Sequence, residues 1–238
     1  MKKPSISFFC PAYLDEKNLP LLIPKVYKLL KSIASDFEIV IVEDGSPDNT
    51  FAVAKKYEKK YKPKVTVIHH PKNKGYGATL RDGFSKANKY DFVFYTDGDN
   101  QYDVNELKRM LPFLKNYDAV IGYRTKRALT PLRQVQTRIY NLLLRVLFSI
   151  PARDIDCSMK IVRRSALRTF SLTSNTSFID PELLIKLKKN NFKIKEVPVS
   201  HYPRLFGEAS GGSPKVVLEA LIDIAKYFYR YRILRHDF

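Results

Sequence analysis

Asp97 and Asp99 stand on either side of a single glycine, directly after the apolar run Phe92 to Thr96. In an extended chain residues i and i+2 face the same side, so these two carboxylates can converge. Converging carboxylates repel unless a cation shares them, and hard oxygen ligands at an open strand end suit Mg2+ or Mn2+ bound also by substrate phosphates. The alternative is an acidic turn, because Asp, Gly and Asn are common turn formers. Gln101 can add a further oxygen. A second acidic group, Glu43-Asp44-Gly45-Ser46 followed by Asp48 and Thr50, reads as a turn with a helix N-cap. An Asp at that place could equally accept hydrogen bonds from a nucleobase or ribose. The run Asn73-Lys74-Gly75-Tyr76-Gly77-Ala78 opens a third element, with Arg81 one turn inside. It lacks the GK[ST] of a phosphate loop and the GxGxxG of dinucleotide folds, so ATP or NAD use is not supported. A glycine-flanked helix start at Gly75 with Arg81 behind it still attracts anions.

These groups need a scaffold that brings them to one place. Strand-like runs at Ile6 to Cys10, Glu38 to Val42, Val65 to His69 and Phe92 to Thr96 alternate with helical patterns at Asn18 to Ala34, Asp48 to Tyr61 and Ala78 to Ala87. Such βαβα order predicts an α/β fold with a mostly parallel, Rossmann-like sheet and helices on both faces, because parallel neighbours need crossover connections. Ligands of such sheets sit outside the carboxyl ends of the strands, where Pro11-Ala12-Tyr13, Glu43 to Asp48 and Asp97 to Asp103 all fall. The second half is less regular. Strands are expected at Ala119 to Gly122, Met159 to Val162 and Lys193 to Val199, and helices at Leu132 to Ile150 and Pro181 to Lys189. Val217, Leu221, Ile224, Phe228 and Tyr231 recur at helical spacing from Ser213 to Tyr231, after the glycine-rich stretch Gly207 to Pro214.

The expected organisation is one domain over 1–212, then an amphipathic, membrane-surface or domain-packed helix over 213–238. A chain of 238 residues fits one such domain with a short appendage. Its net charge of +18, from 42 Lys plus Arg against 24 Asp plus Glu, favours phosphates, nucleic acid or acidic lipid headgroups. No nucleic-acid-binding motif accompanies that charge, and the aromatics fall in apolar periodic runs, so no nucleic-acid partner is expected. Cys10 and Cys157 lack metal or disulfide spacing and read as buried reduced thiols. The apolar run before Pro11 is too short for a secretory signal, and no stretch reaches the ~20 apolar residues of a membrane span. The expected location is therefore cytoplasmic, peripheral on the cytoplasmic face of a membrane.

The segments PAY, EDGS, NKGYGATLRDG and DGDNQ, in this order and spacing, resemble family-two glycosyltransferases with the GT-A fold. GYR at Gly122 to Arg124, TRIYN at Thr137 to Asn141, DIDCSMKIVRR at Asp154 to Arg164 and VPVSHYPRLFGEAS at Val197 to Ser210 resemble the dolichyl-phosphate mannose synthase-like branch, which charges polyprenyl phosphates. The resemblance covers nearly the whole chain and implies a catalytic domain over 1–212, with a nucleotide-sugar-binding half at 1–103 and an acceptor half at 104–212. It implies that Asp97 and Asp99 form the DXD metal pair with Gln101 beside them, and that Pro11, Tyr13, Glu16 and Asp44 meet the nucleotide. It also implies that Arg124 and Arg138 hold the acceptor phosphate, and that Arg204, on a loop ending near Ser210, closes on the donor diphosphate. Arg138, Asn141 and Arg145 share a helix face. Four positions depart from the family pattern: Leu14 stands where Asn is usual, Glu43 replaces the first Asp of DDGS, and Ser158-Met159 replace Gly-Phe.

The implied reaction is a metal-dependent, inverting transfer of a hexose from a GDP-mannose or UDP-glucose type donor to a polyprenyl phosphate, with mannose favoured by the resemblance. An anionic membrane surface and a separate membrane-spanning protein are the implied partners. The rival reading is transfer to a sugar hydroxyl, which needs a carboxylate base such as Asp180 or Glu182.

Overall fold

The computed structural model describes residues 3–125, 131–207 and 214–230. In chain order the elements are β1 (Ser5–Ala12), α1 (Leu19–Ile33), β2 (Asp36–Glu43), α2 (Thr50–Lys60), β3 (Val65–His69), α3 (Tyr76–Lys86), β4 (Phe92–Tyr95), α4 (Leu107–Met110, between two 3-10 turns), β5 (Ala119–Arg124), α5 (Pro131–Phe148), β6 (Lys160–Arg163), α6 (Arg164–Leu167), α7 (Ile179–Lys189), β7 (Ile194–Val199) and α8 (Pro214–Phe228). The expected elements are all present, with ends shifted by a few residues. The stretch around α4 and the single turn of α6 carry no periodic signal long enough to read in advance.

The strands form one seven-stranded sheet in the order β3-β2-β1-β4-β6-β5-β7. Pairing is parallel except at β6, which runs antiparallel to both β4 and β5. The strands are apolar on both faces. Phe8, Cys10, Ile39, Ile41 and Phe94 point into one core with α1, whereas Phe9, Val40, Val42, Val93 and Tyr95 point into the other with α3, α5 and α7. A sheet covered on both sides gives such continuous apolar runs rather than alternation. On the first face α1 buries Leu19, Leu22, Ile23, Val26, Leu29 and Leu30, a stripe at helical spacing. On the second, α3 comes unusually close: a Cβ at Gly83 would lie 2.3 Å from the Phe9 ring, so only glycine fits there. Phe9 in turn stacks on Tyr95 at 5.2 Å and meets Phe84 edge-on at 4.9 Å.

The terminal helix α8 buries Ala220, Ile224 and Tyr227 in this second core, with Tyr227 4.4 Å from the Phe178 ring centroid. Over its described residues it therefore packs on the domain. Leu221, expected on the packed stripe, is exposed instead, because Ala220 and Tyr227 complete the inward face with Ile224. Ser213, Tyr231 and Ser210 lie outside the described residues, as does 208–213 of the expected linker. Among the described residues no helix is long and apolar enough to cross a membrane.

The chain builds β1, β2 and β3 outward in one direction and then crosses back to lay β4 on the other side of β1. The strand order reverses between β1 and β4, and the loops leaving their carboxyl ends part there to leave a crevice. Residues following Ala12 and Tyr95 border that crevice.

Candidate active site

At the switch point Asp97 is held by two hydroxyls. Tyr76 Oη, from the first turn of α3, donates to its Oδ1 at 2.9 Å, and Ser158 Oγ, just before β6, donates to its Oδ2 at 2.6 Å. Burial, and then the neighbouring charges of Asp99 and Asp180, push the Asp97 carboxyl up to about 6, against the pull of the two hydroxyls. Asp99 is 5% exposed and accepts from the Gln101 backbone N–H at 3.1 Å and from Arg204 Nη2 at 2.7 Å. Burial raises it as well, with Arg204 opposing.

A third carboxylate, Asp15, stands beside them, 7% exposed. It accepts from the Tyr13 N–H at 3.0 Å and from Asn18 Nδ2 at 2.8 Å. A Cβ on Gly98 would lie 2.6 Å from Pro11 O and 3.0 Å from Asp15 Oδ2, so the glycine between the two aspartates lets the β4 loop press against the β1 loop. Pro11 ends β1, and Tyr13 is 43% exposed on the rim. Leu14 adopts a left-handed backbone with φ of 59° and is 48% exposed.

Arg204 reaches Asp99 because its loop is zipped to the β4 loop. Tyr202 N donates to Gln101 O at 2.8 Å, Gln101 Nε2 donates to Tyr202 O at 3.1 Å, and Tyr102 bridges His201. The Gln101 amide nitrogen is thus used for docking this loop, which leaves its Oε1 as the atom that could face an ion.

Asp44 is 3% exposed. Its Oδ1 accepts from the Lys74 N–H at 2.9 Å and lies 2.7 Å from His70 Nδ1, while its Oδ2 accepts from the Gly75 N–H at 3.0 Å. The other nitrogen of His70 lies 2.8 Å from Asp82 Oδ2. Asp44 also holds the loop that starts α3, where Gly75 has a φ of 91° that favours glycine. Glu16 accepts from the N–H and Nδ2 of Asn49, both at 3.1 Å, and so ties the β1 loop to the start of α2. Arg81 points to the loop before α7, where it bonds Asn175 Oδ1 and lies 3.4 Å from Thr173 O.

In the acceptor half, Arg124 makes a bidentate pair with Asp154, Nε and Nη2 each at 2.7 Å, and its own N–H donates to Asp154 Oδ2 at 3.0 Å. Burial works against its charge, but Asp154 holds the guanidinium protonated well above its ordinary range. Arg138 is exposed on α5 and makes no hydrogen bond or ion pair among the described residues. The structure thus places Arg124 and Arg138 in different surroundings. Asn141, on the same turn, faces inward: its Nδ2 donates to Thr137 O at 2.8 Å and its Oδ1 accepts from the Ile155 N–H at 2.8 Å, anchoring the loop that carries Asp154 and Asp156. Burial and then Asp180 push Asp156 up to about 7.

Asp180 and Glu182 are both locked. Asp180, 3% exposed, pairs with the fully buried Lys160 and accepts from Tyr95 Oη, and Lys160 Nζ lies 3.0 Å from the same Tyr95 oxygen. Glu182, 0% exposed, accepts from Thr173 N at 2.9 Å, Ser174 N at 2.8 Å and Lys186 Nζ at 2.7 Å. Both cysteines are buried and free.

Asp15, His70, Tyr76, Ser158 and Lys160 had no assigned role in the sequence reading. Asp15 lies three residues past the end of β1, the position from which switch-point ligands come, and was legible on that ground. The rest meet their partners only through the folding of distant segments.

Residues 7–170 match the family described as Glycosyl transferase family 2. An uncharacterized protein of Methanocaldococcus jannaschii is 30% identical over 201 residues, spanning 80% of this chain and 85% of that one. A dolichyl-phosphate beta-glucosyltransferase of Trichomonas vaginalis is 27% identical over 246 residues, spanning 96% of this chain and 74% of the relative. Among solved structures, glucosyl-3-phosphoglycerate synthase from Mycobacterium tuberculosis, in complex with Mn2+, UDP-glucose and phosphoglyceric acid, superposes with a TM-score of 0.70 at 15% identity over 94% of this chain and 80% of that one. At that identity the likeness speaks for the fold alone. Together with a carboxylate-lined crevice at the strand-order reversal, the family match over 7–170 shows that the chain belongs to glycosyl transferase family 2 and is a glycosyltransferase with the GT-A fold.

Proposed function

We propose that this enzyme transfers a glucosyl group from a nucleotide-diphosphate sugar of the UDP-glucose type to a polyprenyl phosphate, with inversion at the anomeric carbon. The mannose favoured by motif resemblance yields to glucose here, because two relatives from Trichomonas vaginalis, each 27% identical over more than nine-tenths of this chain, are dolichyl-phosphate beta-glucosyltransferases. The observation that carries the proposal is the paired carboxylates Asp97 and Asp99 at the switch point, both raised by burial and the first also by the second.

Hard oxygens in mutual repulsion fit a divalent cation. Among the described residues no three His, Cys, Asp or Glu side chains form a cage by themselves, which suits an ion that shares its sphere with substrate phosphates. Asp97 and Asp99, with Gln101 Oε1 beside them, would hold Mg2+ or Mn2+, which would neutralise the departing nucleoside diphosphate.

The chain's own side chains supply the rest. Tyr76 and Ser158 fix the Asp97 carboxylate in one orientation, so it need not reorganise as charge develops. Arg204 would exchange its bond to Asp99 for the donor diphosphate, a change its loop allows because Gln101 and Tyr202 keep it docked. Pro11 and Tyr13 border the position of the nucleotide base, and Asp44, Glu16 and Gly75 shape the loops around it. Gly75 opens α3, and a helix N-terminus there favours anions. Arg81, tied to Asn175, would act on the donor only by holding that side of the crevice. Arg124, preset by Asp154, and Arg138 on α5 would receive the acceptor phosphate.

One phosphate oxygen forms a bond to the anomeric carbon as the bond to the diphosphate oxygen breaks, and the electron pair leaves with the nucleoside diphosphate. A lipid monophosphate has a second pKa of ~6 and is already largely ionised at neutral pH, so the displacement needs no protein base. The rival hydroxyl acceptor needs one. Asp180 is buried and paired with Lys160, and Glu182 is buried and bonded to Thr173, Ser174 and Lys186, which favours the phosphate.

Labelled UDP-glucose and GDP-mannose, each offered with polyprenyl phosphate and Mn2+, test the reading. Label from UDP-glucose should enter organic solvent and be lost with Asp97→Asn or Asp99→Asn. Label passing only to water-soluble acceptors would reject the lipid acceptor.

A further inference from the structure

His70 is a buried histidine with a carboxylate at each ring nitrogen. It is 2% exposed and directly follows β3, where its backbone N–H donates to Glu43 O at 2.9 Å. Its Nδ1 lies 2.7 Å from Asp44 Oδ1, and its Nε2 lies 2.8 Å from Asp82 Oδ2 on α3. Lys74 Nζ stands 3.5 Å from the same Asp82 oxygen. The ring is thus fixed between the end of β2 and α3. Nothing in the transfer chemistry uses it.

A carboxylate accepts only, and it offers about four lone-pair sites, two on each oxygen. On Asp44 the Lys74 N–H at 2.9 Å and His70 Nδ1 occupy both sites of Oδ1. Oδ2 takes the Gly75 N–H at 3.0 Å and no further bond among the described residues, so one site on Oδ2 stays open. The loop presses this close because Gly45 has no side chain: a Cβ there would lie 2.7 Å from both Asn73 N and Lys72 C. Asp44 N donates to Ala12 O at 3.0 Å, which sets Asp44 beside the β1 loop that carries the exposed Tyr13.

We infer that His70, by filling Oδ1 of Asp44, makes this enzyme select uracil over guanine nucleotides. Asp44 is left with a single acceptor for the base. Uracil presents one N–H, at N3, between two carbonyls, and one acceptor matches it. Guanine presents N1–H beside its N2 amine, two adjacent donors that suit both oxygens of a free carboxylate. With Oδ1 filled, the second guanine donor loses its water and gains no partner, which is costly in a buried site. His70 is a positioning residue, since it acts through Asp44 and touches no ligand. Asp82 keeps its ring from turning away. The inference rests on the proposed place of the nucleotide at this rim and deepens it by naming the base that the rim accepts.

Titration calorimetry of the full chain with Mn2+ present, using UDP, N3-methyl-UDP, GDP and inosine diphosphate, tests this. Wild type should bind UDP about tenfold or more tighter than N3-methyl-UDP, the worth of one hydrogen bond to a charged acceptor. GDP and inosine diphosphate, which lacks the N2 amine, should bind wild type alike, because the amine has no acceptor. Two amide variants of His70 separate its arms, and their melting curves report that each is folded. The His70→Gln amide reaches the place of Nε2 and leaves Oδ1 open, so GDP should gain about tenfold on inosine diphosphate. The His70→Asn amide stands at the place of Nδ1 and still donates to Oδ1, so the wild-type order should return. UDP binding with the same ratio of GDP to inosine diphosphate in His70→Gln as in wild type would overturn the inference and leave the donor reading standing. N3-methyl-UDP that binds as tightly as UDP would overturn it too. A wild type that binds none of these nucleotides would remove the donor reading itself, and the inference with it.

Discussion

The buried triad of Tyr95, Lys160 and Asp180 separates a structural role from a catalytic one. Lys160 is 0% exposed and Asp180 3% exposed, so each charge depends on the other. Replacing one member alone leaves a desolvated charge without its partner, at a cost of about 3–5 kcal/mol. For a domain of this size 1 kcal/mol moves the melting temperature by about 2–4 °C, so Lys160→Met or Asp180→Leu alone should lower it by roughly 6–20 °C. Replacing all three, with Tyr95→Phe added so that no hydroxyl is stranded, exchanges a polar network for apolar contacts of similar volume. The ring of residue 95 keeps its stack on Phe9 at 5.2 Å. The triple variant should therefore return to within about 2 kcal/mol of wild type, far from the sum of the single losses. Urea unfolding gives the stabilities, and transfer of labelled glucose to polyprenyl phosphate gives the activity. If Asp180 were the general base of a hydroxyl transfer, the folded triple variant would lose roughly 100-fold or more. Retention of transfer within about tenfold is the expected result. A triple variant as unstable as the single ones, or a stable one that has lost its activity, would refute the reasoning.

Two further predictions concern single positions. Leu14 has a φ of 59°, where a branched aliphatic side chain is strained by ~1–2 kcal/mol and Asn is far better tolerated, so Leu14→Asn should raise the melting temperature by about 2–4 °C; an unchanged or lower value would show that the turn carries no such strain. Asp156 is pushed up to about 7 in the folded protein, mainly by burial and next by Asp180. Its folded value lies above its unfolded one, so its contribution to stability is full below pH ~4 and is lost as pH rises through about 7. Asp156→Asn removes that titration, so melting curves recorded across this range should show the variant gaining on wild type as pH rises; parallel curves would contradict the raised value.

The order of strands and helices was readable because each signal is local. A stripe such as Leu22, Ile23, Val26 and Leu30 follows from helical spacing, and the two-sided apolar strands follow from burial between two helical layers. The place of the site was readable too, since acidic and glycine-rich turns fall after β1, β2 and β4, and a parallel sheet gathers those ends at one rim. Sequence could not decide which of those polar groups face the crevice and which hold it together. Asp44 and Asp97 look alike as strand-end carboxylates, yet the first is held by backbone N–H groups and a histidine of residues 70–75 whereas the second is oriented by hydroxyls from α3 and the segment before β6. The antiparallel insertion of β6 between β4 and β5 brings Ser158 and Lys160 beside the carboxyl end of β4, and no local pattern encodes it. The same holds for α5, where Val135, Ile139, Leu142 and Val146 are exposed although they are as apolar as the buried Leu144 and Phe148. Side-chain type fixes what a group can do, but its partners come from segments 20 to 105 residues away, and only the folded sheet sets those distances.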